Sequence, residues 1–208
     1  TINLSIDSTE TVTVKAAYPQ MSYKYEVEGS ENCNTIKELS LKQMLLQSNI
    51  NGIVKNPNIG VDSLDVIVAR MLNDYKQDIK RNYIFKAPMQ ASSYYALFQT
   101  IQLGNTNSLI FNPRNNKEDV KVFAAVATSW DTYYPGAERG KNLHNIAIEG
   151  MKDIRIIENQ MAQQKIDASK VQVNGCIELA LQDNQGQIRR LSDLKGKVVL
   201  LDFHAFAS

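Results

Sequence analysis

The chain has 208 residues, with 23 Lys and Arg against 22 Asp and Glu, for a formal net charge of +1. So even a balance argues against a phosphate-tracking nucleic-acid binder, which gathers positive excess on one face. Hydrophobic residues at 43% and charged residues at 22% describe a folded globular chain rather than a disordered one, and no apolar run approaches the roughly 20 residues of a membrane span.

The first thirty residues read as β structure. Ile2, Leu4 and Ile6 alternate with polar residues, as do Val12 and Val14, and then Tyr23, Tyr25 and Val27. Period-two alternation of β-branched and aromatic residues predicts three short strands with one buried face. Breaks fall at Asp7-Ser8, Pro19 and Gly29-Ser30. The chain opens Thr1-Ile2-Asn3 without Met or signal peptide, which reads as a processed or trimmed start.

From Thr35 the apolar period becomes helical. Leu39, Met44, Leu45 and Leu46 mark a first helix capped at Asn34 or Thr35 and ended by Asn56-Pro57. Ser63 is expected to cap a second, in which Leu64, Ile67, Val68, Met71, Tyr75 and Ile79 recur every three or four residues until Pro88 interrupts. Ser92-Ser93 opens a shorter helix through Tyr95, Leu97, Phe98 and Ile101, followed by the turn Gly104-Asn105-Thr106-Asn107. A fourth carries Val120, Phe123, Ala124, Ala127 and Trp130, and Pro135-Gly136 punctuates. The last runs from Glu138 with Leu143, Ala147, Met151, Ile154, Ile157 and Met161 on one stripe, and residues 167–174 read as a linker.

The tail alternates again at Ile177, Leu179 and Leu181, turns at Asp183-Asn184-Gln185-Gly186, and resumes at Ile188 to Leu191. After the turn 192–196, Val198 to Phe203 is apolar on both faces, the pattern of a central strand. Such a strand needs neighbours and covering layers, so this tail reads as the opening of a domain whose remainder is absent, or as a segment docking on the N-terminal strands or on a second copy. The expected class is α+β: short N-terminal strands over 1–30 (a meander or the end of a small sheet), a mainly helical module over 31–168, and the opening hairpin and first central strand of a truncated domain over 175–208.

That tail resembles the opening segment of thioredoxin-like proteins, in the branch of the AhpC/TSA proteins and the TlpA- and ResA-type thiol–disulfide oxidoreductases. The resemblance rests on Ile177 to Gly186 and on Leu191-Ser-Asp-Leu-Lys-Gly196-Lys197-Val-Val-Leu-Leu-Asp202-Phe203. In those proteins a hairpin leads to a turn ending in Gly-Lys, then to a buried strand, then to Asp-Phe-Trp-Ala-Ser-Trp and a Cys-x-x-Cys motif. A weaker likeness to the helical module of exported Bacteroidetes lipoproteins rests on Val27-Glu-Gly29-Ser30, Ser92 to Phe98 and Tyr134-Pro135-Gly136, and implies that residues 1–30 are the last strands of a small β domain. The resemblance implies a periplasmic or outer-membrane setting, envelope clients or a redox partner, and attachment through a lipid anchor outside this chain.

The active-site position departs from that pattern. Here the segment reads Asp202-Phe203-His204-Ala205-Phe206-Ala207-Ser208, so Ser208 occupies the first-cysteine position. Exchange needs a thiolate nucleophile, which a serine hydroxyl cannot replace. No catalytic residue, cofactor or metal site is therefore expected within these 208 residues. The chain reads as the N-terminal and linker portion of an envelope oxidoreductase-like protein, or else as a redox-silent scaffold keeping a degenerate thioredoxin-like fold.

The remaining residues with chemistry leave alternatives open. Cys33 and Cys176 could tie two modules together, supply a peroxidatic thiol, or stay unpaired. His204 could tune a neighbour or serve as a strand-end residue, and His144 has no second ligand at metal spacing. Gly136 and Gly140 flank Arg139 without following a strand, so no phosphate loop is expected there. Tyr94, Tyr95 and Phe98 with Trp130, Tyr133 and Tyr134 either line a peptide or ligand groove or pack between adjacent helices.

Overall fold

Glycine at position 29 makes the first long-range junction possible. Its φ is +95°, and a Cβ there would lie 2.0 Å from the Thr11 carbonyl oxygen, so only glycine lets the chain pass this close. Directly after it, the Ser30 side chain accepts from the Cys33 amide at 3.2 Å and caps α1 (Glu31–Val54). The cap lies upstream of the expected Asn34 or Thr35, because the Ser30 hydroxyl meets an orphan amide with Glu31 in the first turn. The computed structural model of the chain describes residues 1–170 and 179–198.

Those residues form an α+β structure of helices and small antiparallel hairpins, falling into two compact units, residues 1–159 and 160–208. In the first unit, β1 (Thr13–Ala16) pairs with β2 (Tyr25–Glu28) in the register Val14 opposite Val27. Tyr25 and Val27 bury one face against Cys33 of α1, with Ile2, Val12 and Val14 packed alongside. Residues 2–6 alternate as a strand would, yet they have no strand partner and run as irregular chain. Of the alternating residues only Ile2 is partly buried, against Tyr25, Val27 and Cys33, while Leu4 and Ile6 stay exposed, so the alternation does not mark a covered strand face here.

The α1 stripe Cys33, Ile36, Leu39, Leu46 and Ile50 is buried along almost the whole helix. Next comes α2 (Val61–Ile79), whose cap position is Gly60 rather than Ser63. It passes directly into a π-helical turn, Lys80–Ile84, marked by the Phe85 amide donating to the Lys80 carbonyl at 2.9 Å. Ile79 and Ile84 are both fully buried in the main core.

The short helix α3 (Ala91–Leu97) ends before the predicted Ile101. That residue belongs to β3 (Thr100–Leu103), which pairs with β4 (Thr106–Leu109) around Gly104. A short apolar run does not distinguish helix from strand by period, and Gly104-Asn105 decides it through hairpin geometry. The free edge of β3 is satisfied by α1 side chains. Gln43 donates to the Thr100 carbonyl at 2.8 Å, while Gln47 donates to the Gln102 carbonyl at 2.9 Å and accepts from its amide at 2.8 Å.

Asn116 caps α4 (Lys117–Tyr133), accepting from the Glu118 and Asp119 amides. The last helix, α5 (Glu138–Lys170), buries Leu143, Ala147 and Ile154. Its close approach is set by Gly150, where a Cβ would meet the Pro113 carbonyl oxygen at 2.6 Å. Met151 and Met161, expected on the buried stripe, are exposed. The main core gathers α1, the end of α2, the π turn, α3, β3, α4 and α5 around Leu39, Ile79, Leu97, Phe111, Phe123 and Leu143.

In the second unit, β5 (Ala180–Gln182) and β6 (Ile188–Arg190) form the hairpin expected from the sequence, closed by Gly186 at φ +77°. A 3₁₀ turn, Leu191–Leu194, and Gly196 at φ +86° follow. The expected central strand, Val198 to Phe203, lies outside the described residues apart from Val198, which is exposed.

Candidate functional site

Most of the aromatic residues singled out in the sequence meet on one side of the first unit. Tyr94 of α3 stacks tilted against Phe98 at 4.8 Å and against Trp130 of α4 at 5.4 Å between ring centroids. Trp130 in turn meets Tyr134 at 5.2 Å. The inner edge joins the core through Phe98 on Phe123 at 5.7 Å, edge to face. Tyr133 is exposed and joins none of these ring pairs. On its inner side the cluster packs between adjacent helices, as one of the two expectations had it, and on its outer side it borders open space.

Two adjoining cavities, of about 300 and 460 Å³, open along this outer side. Trp130 and Tyr134 line the smaller and Tyr94, Tyr95 and Phe98 the larger. The two share Ser5, Ile6, Ala91 and Arg139. The N-terminal segment therefore crosses the groove and divides it. Its ties are light: the Asn3 amide group donates to the Tyr95 hydroxyl at 3.2 Å, and the Cys33 thiol donates to the Ser5 carbonyl at 3.1 Å. Among the described residues, no backbone group of residues 1–6 pairs with another backbone group.

Arg139 stands in the first turn of α5, where the helix dipole disfavours a cation. Its guanidinium lies 5.4 Å from the centre of the Tyr94 ring, and no carboxylate among the described residues forms an ion pair with it. Trp130 is only 7% exposed, and its buried indole N–H meets no acceptor among the described residues. A cation held against an aromatic face suits a ligand with carbonyl or carboxylate oxygens.

Other chemistry-bearing groups resolve differently. Cys33 is a buried free thiol. His144 Nε2 faces the Asp131 carboxylate on the surface between α4 and α5. Cys176, His204 and Ser208 lie outside the described residues. Among the described residues no group of three or more His, Cys, Asp or Glu is placed to hold a metal ion, and no helix is long and apolar enough to cross a membrane.

Sequence reasoning missed two polar arrangements. Asp119, 2% exposed, accepts from Lys76 Nζ at 2.6 Å and from the Asn112 amide at 2.8 Å, tying α2 to α4. Around the π turn, Lys42 donates to Asp78 at 2.8 Å and the Tyr83 hydroxyl donates to Glu38 at 2.5 Å. The Lys42 hydrogen bond, helped by one from Asn82, holds the Asp78 carboxyl below the usual range against a smaller opposing effect of burial. Burial first and Glu38 second push the Tyr83 phenol well up, and burial does the same for Tyr75, whose hydroxyl donates to Gln99 at 2.8 Å. These groups brace α1, α2 and α3 and share no cavity with the aromatic groove.

No known protein family, curated protein or solved structure matches the chain. The functional reading therefore rests on the residues themselves.

Proposed function

We propose that the chain is the N-terminal and linker portion of a cell-envelope thiol–disulfide oxidoreductase-like protein of the AhpC/TSA kind. In this reading the helical body is a non-catalytic module that positions the redox domain or recognises its clients. The observation that carries it is the tail: a hairpin closed by Gly186, a short turn, and Gly196-Lys197 immediately afterwards. In the proteins it resembles, this order precedes the buried strand and the cysteine motif. The setting proposed with it is the periplasm or outer membrane, with clients or a redox partner there. Ser208 at the first-cysteine position favours a second reading, a redox-silent scaffold that keeps the fold without the chemistry.

Reductase activity of the gene's full-length product towards a protein disulfide separates the two readings. Activity that is lost when cysteines beyond Ser208 are replaced is the expected result. Absence of any such activity overturns the oxidoreductase reading and leaves the scaffold.

A further inference from the structure

We propose that the larger of the two cavities is a binding site for a small aromatic monocarboxylate. Arg139 holds the carboxylate, and Tyr94, Tyr95 and Phe98 take the ring. Nothing in this site depends on whether cysteines follow residue 208.

The charge of the ligand follows from the walls. Asp7 and Glu10 line the smaller cavity beside Arg139, two carboxylates against one guanidinium. The larger cavity, of about 460 Å³, has Arg139 as the one charged side chain among the described residues of its wall. No carboxylate among the described residues pairs with that guanidinium, and the α5 dipole opposes it. An unpaired arginine fork is complemented by a carboxylate, which it can grip through two parallel hydrogen bonds. A second anionic group on the ligand would meet no second cation in this wall. The ligand is therefore a monoanion.

The rest of the wall sets the body of the ligand. Tyr94, Tyr95 and Phe98 share the larger cavity with Ile36, and the core holds part of this surface in place. Ile36 is 2% exposed, and Phe98 meets Tyr94 at 4.8 Å and Phe123 at 5.7 Å. A ring entering here finds aromatic surface already ordered, which lowers the cost of binding. The guanidinium lies 5.4 Å from the centre of the Tyr94 ring, so charge and aromatic surface adjoin and a short acid arm spans them. Uncharged polar side chains are few: Ser5, and Asn3, whose amide group already donates to the Tyr95 hydroxyl at 3.2 Å. A sugar or polyol would leave most of its hydroxyls unpaired against such a wall, and a flat apolar ring leaves none.

The test titrates the 208-residue chain with phenylacetate and with phenylacetamide, its uncharged isostere, read by ligand-observed NMR and by calorimetry. Phenylacetate is expected to saturate with a Kd of about 0.1–1 mM, as for a ligand of this size. It should bind about fivefold more tightly than the amide, the effect of one charge-assisted contact at a half-open site. Arg139 is exposed, so Arg139→Gln should fold as the parent does. In that variant the ratio of the two affinities should fall to about one, with the affinity for the amide unchanged. Ala91→Leu, which narrows the cavity, should weaken both ligands about fivefold or more. Acetate, which lacks the ring, should not compete. A linear signal that never saturates overturns the proposal, as does equal affinity for the two ligands in the parent. So does a ratio that survives Arg139→Gln, unchanged binding to a folded Ala91→Leu, or competition by acetate at the strength of phenylacetate.

Discussion

Replacing Asp119 by alanine is expected to destabilise the first unit by about 3 kcal/mol. The carboxylate is buried and is the acceptor for the Lys76 ammonium and the Asn112 amide. Removing one member of a buried pair costs about 3–5 kcal/mol, because the other charge is left uncompensated. The lower end applies because the Lys76 side chain retains 17% exposure and can swing its ammonium towards water. The reciprocal change, Lys76→Met, is expected to cost about 4 kcal/mol, because a carboxylate at 2% exposure has no comparable route out. Both changes together (Lys76→Met with Asp119→Leu) should cost clearly less than the sum, leaving the Asn112 amide as the main orphan at about 1–3 kcal/mol. Urea unfolding followed through Trp130 measures all three. Asp119→Ala within about 1 kcal/mol of the parent at unchanged m, or strictly additive single changes, would show that the pair does not hold α2 to α4.

The remaining expectations concern pH and backbone. Asp78 is held below its ordinary value by Lys42, so its contribution is present above the unfolded carboxylate pKa and is lost as pH falls through the lower, folded one. The parent should therefore melt about 1–3 °C above Asp78→Asn near neutrality, a small margin because both partners are about a third exposed, and the gap should close below about pH 4. A gap that is constant down to pH 2 refutes the assignment. Gly29→Ala combines a positive φ with a clash on the Thr11 carbonyl and should cost ~3 kcal/mol or more. Gly52→Ala, in open space within α1, should instead stabilise by ~0.5–1 kcal/mol. The same urea titration reads both, and equal effects at the two glycines would contradict this reading of the β2–α1 junction.

Helices were legible where their stripes were long. The α4 series Val120, Phe123, Ala127 and Trp130 is buried as its spacing predicts, and the turn around Asp183–Gly186 places the tail hairpin. The period failed where the run was short. Residues 2–6 look like a strand but have no strand partner and leave Leu4 and Ile6 exposed, and Ile101 looks like the end of a helix but belongs to a hairpin. The aromatic members of the groove were visible as a group because they flank two helix ends. The importance of Arg139 was not, because the glycines flanking it raised only a phosphate loop, which the lack of a preceding strand rules out. The usable signal was a cation in the first turn of α5, just after Trp130 and Tyr134, against the helix dipole. Lys76 and Asp119 gave no local sign, since they are 43 residues apart and each is unremarkable on its own helix.

The π turn after α2 has a consequence for how the chain can change length. Residues five apart in an α-helix project about 140° from one another, whereas an i→i+5 turn brings them back to a common side. Ile79 and Ile84 are spaced in this way and both face the core. Deleting one residue between them would leave a spacing of four, which an ordinary α-helix also places on one side. The segment 80–84 thus works like a vernier: it absorbs one additional residue without turning the apolar stripe away from its neighbours, and it is a place where a shorter chain could keep the same packing.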